Sequence, residues 1–361
     1  MKTTRLSVIL WTLCIGAATI TQAVCVGTSV NSFGAKGDGH TDDTAAIQAA
    51  INAASSAGGG SVVFNVARYY TTGTLVVPSG VVLCGAVEGP FDVKGVNPAV
   101  TTIAPTILIT STSGPFVNLP NGNAGATGIT DLLFHYPNQV NSSATSPTVY
   151  PSTIVMSNPG KVARCTVTNA YDFLDIEVGD VLAQDLFIGA FHTGVYIDHT
   201  YAHVTLRGLV NQVFWDILEN ATYPRPIDAW VLANGTGLFV GRADGLAVED
   251  FYVFSRNIGI IQADSPDTSQ IPPCGTDTGS DIDLKNVQYG IVVTCTWAPF
   301  PFSNVDVVAA PGLGQAAVQV RAGGTMTPNL VINGGSQTGP WALGPYPPAP
   351  VGNLLVVNIL P

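Results

Sequence analysis

From Thr44 the apolar positions of the chain fall at helical intervals: Ile47, Ala50, Ile51 and Ala54 make one stripe about three turns long. Thr41-Asp42-Asp43-Thr44 precedes it, and Asp42 or Asp43 suits an N-cap, since a short carboxylate accepts the free N–H groups of a first turn. Gly58-Gly59-Gly60 ends the pattern, which does not return. "SVVF" starts a strand, and "TLVVPSGVVLCG" reads as two short strands around Pro78-Ser79-Gly80. One amphipathic helix followed only by strands predicts a helix that covers one end of a β stack.

From Gly128 onward short strand-like runs recur, among them "KVARCTVTNAYDFLDIEV", "VLAQDLFIGAFHTGVYIDHT", "AHVTLRGLVNQVFWDILEN" and "GLAVEDFYVFSRNIGIIQA". Val167, Leu186, Leu209, Val287 and Val305 align at steps of about 20 residues, with room for two steps between Leu209 and Phe251. Units this small cannot bury an apolar face alone, so they stack and share one core. Tight-turn pairs such as Asn-Gly are scarce between the runs, which favours parallel coils over hairpins. The expectation is an all-β fold, a single right-handed parallel β-helix with an N-terminal capping helix.

Composition agrees: 46% hydrophobic, 10% charged, Gly 39 and Pro 25 in 361 residues. A net charge of −11 and the lack of a Lys/Arg cluster argue against nucleic acid as a partner, and disfavour a polyanionic glycan as well. "MKTTRLSVILWTLCIGAATITQA" reads as a secretion leader, Lys2 and Arg5 preceding an apolar stretch. The expected organisation is a leader over 1–23 and one β-helix domain over 24–361, exported to the extracellular or periplasmic space and without a membrane span. Cys25, Cys84, Cys165, Cys274 and Cys295 remain after the leader, and Cys274 with Cys295 is the favoured disulfide. Neither Cys-x-x-Cys nor a His-rich spacing is present, so no zinc site is expected.

"FGAKGDGHTDDTAAIQAAINAASSAGGGSVVF" closely resembles the N-terminal segment of the pectate-lyase-like superfamily, shared by polygalacturonases, rhamnogalacturonases and phage tailspikes. The resemblance is specific over about Asn31 to Gly85 and implies a right-handed parallel β-helix with a polysaccharide groove on one outer face. The Asn-Thr-Asp, Asp-Asp, Gly-His-Gly and Arg-Ile-Lys motifs of the polygalacturonases are missing from the coils; Asp42-Asp43 belongs to the helix start. Val195-Tyr196-Ile197-Asp198-His199 is similar to a strand of one pectate lyase family, with Tyr for Trp.

Stacking suggests further chemistry. With Ile176, Ile197 and Ile217 aligned inward, Asp175 and Asp216 share a column two coils apart, and Glu177 and Asp198 share the next on adjacent coils. At about 4.8 Å per strand, the Glu177/Asp198 pair fits the carboxyl separation of a retaining glycosidase, and Asp175/Asp216 is slightly wide for an inverting one. The competing account is that these acids are solvated strand positions, with Asp198-His199 a turn-capping pair. Phe191, His192, Tyr196, Tyr201, His203, Trp215, Tyr223 and Trp230 concentrate in one stretch that suits sugar faces or a core stack equally; His192, Tyr196, His199 and Trp215 are its candidates for substrate binding. Arg207, Arg242 and Arg256 fall in or beside strands and are expected to pair with Asp198, Asp244 and Glu249 or Asp250; Arg207 or Arg242 in a groove would bind a carboxylate or sulfate.

Three functions follow as alternatives. The first is a glycosidase of cell-wall or extracellular glycans that uses Asp175, Glu177, Asp198 and Asp216 and needs no cofactor. The second is a uronate lyase assisted by Ca²⁺, with Asp198 a ligand. The third is a glycan-binding surface protein without catalysis. Each takes a polysaccharide as partner; oligomeric state is open. Asn141, Asn220 and Asn234 begin Asn-x-Ser/Thr sequons.

Overall fold

The structure is a computed structural model that describes residues 25–338 apart from 121–126, 140–142, 213–224, 271–273, 276, 296–299, 310–315, 321–329 and 334–336. The expected leader over 1–23 and the Pro-rich C-terminal segment therefore lie outside the described residues. All strand pairings are parallel and join into one curled sheet, a parallel β-helix whose interior is one continuous apolar core.

Helix α1 (Thr44–Ser56) buries the expected stripe, Ile47, Ala50, Ile51 and Ala54, in that core. It lies against the strands Gly60–Phe64, Leu75–Val76 and Val81–Gly85. Its start differs in detail from expectation. Asp42 accepts the N–H of Thr44 at 3.0 Å, whereas the Asp43 carboxylate ties back the N–H groups of Lys36 and Gly37. The two acids divide the work: one caps the helix and the other fixes the preceding turn. Past the helix, Gly59 has φ +109°, and a Cβ there would stand 2.6 Å from the Gly80 carbonyl oxygen, so this position admits no side chain.

The coil register follows the predicted columns in part. Leu186 pairs with Leu209, Leu209 with Phe251, Phe251 with Ile282 and Ile282 with Val305, all buried. Val167 pairs instead with Ile188, and Val287 lies on the coil of Ile282. The 41 residues between Leu209 and Phe251 make one coil and not two. That coil carries a second helix, α2 (Pro226–Asn234), where the period predicted a further strand. For the same reason the Ile176–Ile197–Ile217 column fails at its third member: Ile176 does pair with Ile197, but the next neighbour of Ile197 is Val240.

One feature of the coils escaped the hydrophobic pattern. Asp131, Arg164, Asp185, Gly208, Asp250, Asp281 and Asn304 all have φ between 49° and 67°. The strand registers stack them, one per coil, into a ladder of left-handed corners. Asp, Asn and Gly tolerate this conformation best, which lets a strand turn a corner within one residue. Arg164 is the exception, and its guanidinium forks onto Asp131 of the preceding coil at 2.7 Å to both oxygens. Two disulfides tie the coils, the expected Cys274–Cys295 and also Cys25–Cys84, while Cys165 is free and buried.

Candidate active site

A groove of about 240 Å³ opens on the face formed by the ends of strands Thr166–Ile176 and Val181–Ile197. Ser152, Asp172, Asp175, His192, Thr193 and Tyr196 bring polar atoms to it. It owes its shape to two irregularities. Phe173 and Leu174 are both buried, which breaks the inside–outside alternation, so the carboxyls of Asp172 and Asp175 on either side face the same space. In the next coil two residues, Phe191 and His192, stand opposite the single Tyr171. A bulge of this kind re-aims side chains. Phe191 turns under α2, to Ile227 and Val231, while His192 turns outward and stacks on Tyr171 with ring centroids 4.8 Å apart.

The groove's polar groups are held differently. Asp172 Oδ1 accepts the Thr193 N–H at 2.7 Å and lies 2.8 Å from His192 Nδ1, which orients both side chains. Asp175 has no such support: its Oδ1 is buried without a hydrogen-bond partner among the described residues. Burial first, then the nearby carboxylates of Glu177, Asp172 and Asp198, push its pKa from 3.8 to about 7. Asp175 therefore keeps its proton close to neutrality. Tyr196 stacks face to face on Phe239 of the following coil at 4.7 Å. Burial and the Asp198 and Asp175 charges raise its phenol well above the usual range, so it stays a neutral hydroxyl.

Of the residues expected from sequence, Asp175, His192 and Tyr196 meet in this groove. Glu177 is exposed just beyond it and accepts from Ser157 Oγ at 3.0 Å. Asp198 sits in the next column as expected, but it is 1% exposed and serves the backbone. Its oxygens accept the N–H of Arg242 at 2.7 Å, the N–H of His199 at 2.9 Å and the hydroxyl of Ser265 at 2.8 Å. That is the turn-capping account of Asp198-His199. His199 faces Asp267 at 3.0 Å, and this bond first of all raises its pKa. Asp216 and Trp215 lie outside the described residues. The column that Asp216 was expected to share with Asp175 runs through Tyr196 to Phe239.

The arginines are elsewhere. Arg207 is exposed on a different strand face, 3.4 Å from Gln184 Oε1. Arg242 is buried, pairs with Asp244 as expected, and donates to the Cys274 carbonyl at 3.1 Å. Arg256 donates to the Ala190 carbonyl and to Asn211. Among the described residues no Lys or Arg lines the groove. Asp198, the calcium ligand expected for a lyase, is engaged by the N–H groups of Arg242 and His199 and by the Ser265 hydroxyl. Among the described residues the three-donor cluster Asp264–Cys274–Cys295 has its two sulfurs bonded to each other.

Asp172, the best-oriented carboxylate of the groove, was missed from sequence. The signal was its spacing three residues before Asp175, which on a regular strand places the two on opposite faces.

A family model described as rhamnogalacturonase A/epimerase, pectate lyase-like, matches residues 27–158. Alginate lyase 7 of Azotobacter vinelandii is 46% identical over 76 residues, 19% of this chain and 9% of that protein. A capsule K30/K69-specific depolymerase of Klebsiella phage K5-2 is 41% identical over 83 residues, 22% of this chain and 10% of that protein. The chain thus spans about a tenth of the length of these curated relatives. Among solved structures, the surface adhesin PfbA of Streptococcus pneumoniae superimposes with a TM-score of 0.50 at 10% identity, over 86% of this chain and 85% of that one, a likeness of fold alone. Over residues 27–158 the chain thus resembles that pectate lyase-like family, and the described strands wind as a parallel β-helix.

Proposed function

We propose that the chain is a secreted polysaccharide-cleaving enzyme of the glycoside hydrolase type, with Asp175 as proton donor. One observation carries this: a carboxyl that keeps its proton to about pH 7 faces a groove beside a second, oriented carboxylate, Asp172. A glycosidase needs such a pair, one carboxylic acid to protonate the leaving oxygen and one carboxylate on the other side of the reaction. In this reading Asp175 gives its proton to the glycosidic oxygen as the bond to the anomeric carbon breaks. Asp172, fixed by Thr193 and His192, takes the proton of the incoming water. Asp198 and His199 position the adjoining turn and do not touch the sugar. The matched relatives, an alginate lyase and a capsule depolymerase, support action on a polysaccharide. The leader over 1–23 supports export, and among the described residues no helix is long and apolar enough to cross a membrane.

The His192–Asp172 pair favours a second reading, β-elimination on a uronate. There His192 Nε2 removes the α-proton while the Asp175 carboxyl donates a hydrogen bond to the uronate carboxylate; the C=C bond forms as the bond to the β-oxygen breaks, and the proton on His192 passes to that leaving oxygen. The products separate the two. Hydrolysis yields new reducing ends with no ultraviolet absorbance, elimination yields both, and the hydrolytic reading falls if unsaturated sugars accompany every cut.

A further inference from the structure

The coil that carries α2 is about twice the length of its neighbours, and the inserted helix lies beside the groove. It is firmly held. Ile227 and Val231 bury themselves against Phe191, and the fully buried Arg225 guanidinium forks onto Asp228 at 2.7–2.9 Å. On this anchored helix Trp230 stays partly exposed, with its ring 6.1 Å from Tyr171 and 6.2 Å from His192. Because His192 also lines the groove, the three rings form a wall continuous with it. Along the helix axis the column of Asp175 continues through Tyr196 to Phe239, both partly exposed and stacked in parallel. The strand spacing of about 4.8 Å carries this floor from coil to coil. A carboxyl thus lies where an aromatic wall meets an aromatic floor.

Such surfaces receive the C–H faces of pyranose rings. Charge narrows the choice further. The groove holds the Asp172 carboxylate with Glu177 beside it, and among the described residues no Lys or Arg lines it. A polyuronate would bring a carboxylate into that field at every residue, whereas an uncharged glycan meets no penalty. The matched family segment ends at residue 158, before Asp172.

We propose that Trp230, with Tyr171 and the Tyr196–Phe239 floor, is a sugar-stacking platform that selects an uncharged glycan and lays it across Asp175. The placement over Asp175 rests on the hydrolytic reading; the platform and its preference do not. The test is affinity gel electrophoresis of the full chain carrying Asp175→Asn, so that binding is read without turnover. Dextran, laminarin and galactomannan serve as neutral probes, and alginate and polygalacturonate as acidic ones. At least one neutral polysaccharide should retard the protein and the acidic ones should not. Adding Trp230→Ala should weaken that retardation about tenfold, and Trp230→Phe should restore most of it. Should Trp230→Ala fail to fold, Tyr171→Ala carries the same expectation. Retardation unchanged by Trp230→Ala, retardation by acidic probes alone, or none by any probe overturns the platform. If Trp230-dependent retardation is found but the wild-type chain releases no reducing ends, the platform stands and the hydrolytic reading falls.

Discussion

Replacing Asp175 by Asn tests both the electrostatics and the chemistry of the groove. The side chain keeps its shape and loses only its titration. In the wild type the folded state holds the Asp175 proton to about pH 7, whereas the unfolded chain releases it near 3.8. Between these values the unfolded state binds fewer protons, so this residue makes stability fall as pH rises. At about 1.4 kcal/mol per tenfold difference in proton affinity, the full effect is roughly 4 kcal/mol. Solvent at the groove mouth screens part of it, leaving about 2 kcal/mol as the expected order. Asp277, buried and raised to about 7 as well, is present in both proteins and cancels in their difference. Urea unfolding should therefore show the two proteins equally stable near pH 4 and the Asn variant more stable by about 2 kcal/mol at pH 8. Over the same range the variant should release reducing ends about 10²- to 10⁴-fold more slowly. A stability difference independent of pH would show that Asp175 ionises normally, and the assignment of a proton donor would go with it.

Other predictions bear on the frame around the groove. Asp198→Ala should lower the urea midpoint by an amount equivalent to about 2–4 kcal/mol, since it leaves the N–H groups of Arg242 and His199 and the Ser265 hydroxyl unpaired in a buried turn; a near-neutral result would remove its structural role. In the corner ladder Asp281→Gly should be nearly neutral and Asp281→Val should cost at least about 1–2 kcal/mol, because a β-branched residue resists φ 54°. Equal costs for the two would show that the corner is not held by its backbone conformation. The raised His199 pKa stabilises the fold below the unfolded value of 6.5, and that contribution is lost as pH rises through the folded value. Asp267→Asn should therefore lower Tm at pH 6 and leave it unchanged at pH 9; a deficit at both would point to packing. Hydrolysis by the wild type should decline as pH climbs past about 7 with loss of the Asp175 proton, and a rate rising through that range would argue for a base as the limiting group.

The helix stripe, the fold class and one long core column were legible because each rests on apolar periodicity, which burial enforces residue by residue. Leu186, Leu209 and Val305 could be placed in one column from spacing alone. The coil containing α2 was not legible: a helix inserted in one turn of a solenoid leaves the neighbouring strands in register while it breaks the count along the chain. The Ile217 column and the pairing of Asp175 with Asp216 failed on that insertion. Half of the groove was visible for a related reason. Asp175 and Tyr196 lie on a regular stretch where Ile176 faces Ile197, and they were found. Asp172 lies beyond a double-inward pair and next to a bulge, where alternation no longer says which way a side chain points. The ladder of left-handed corners is polar and irregularly spaced in sequence, so hydrophobic patterning passes over it, although Asp, Asn and Gly at six of its seven positions are its trace.

The central claim is that Asp175 carries a proton near neutrality. The direct measurement is a pH titration by difference infrared spectroscopy, wild type minus Asp175→Asn, following the carboxylic acid C=O stretch. A midpoint near 7 is the expected result. A midpoint near 4 would make Asp175 an ordinary surface carboxylate and contradict the account.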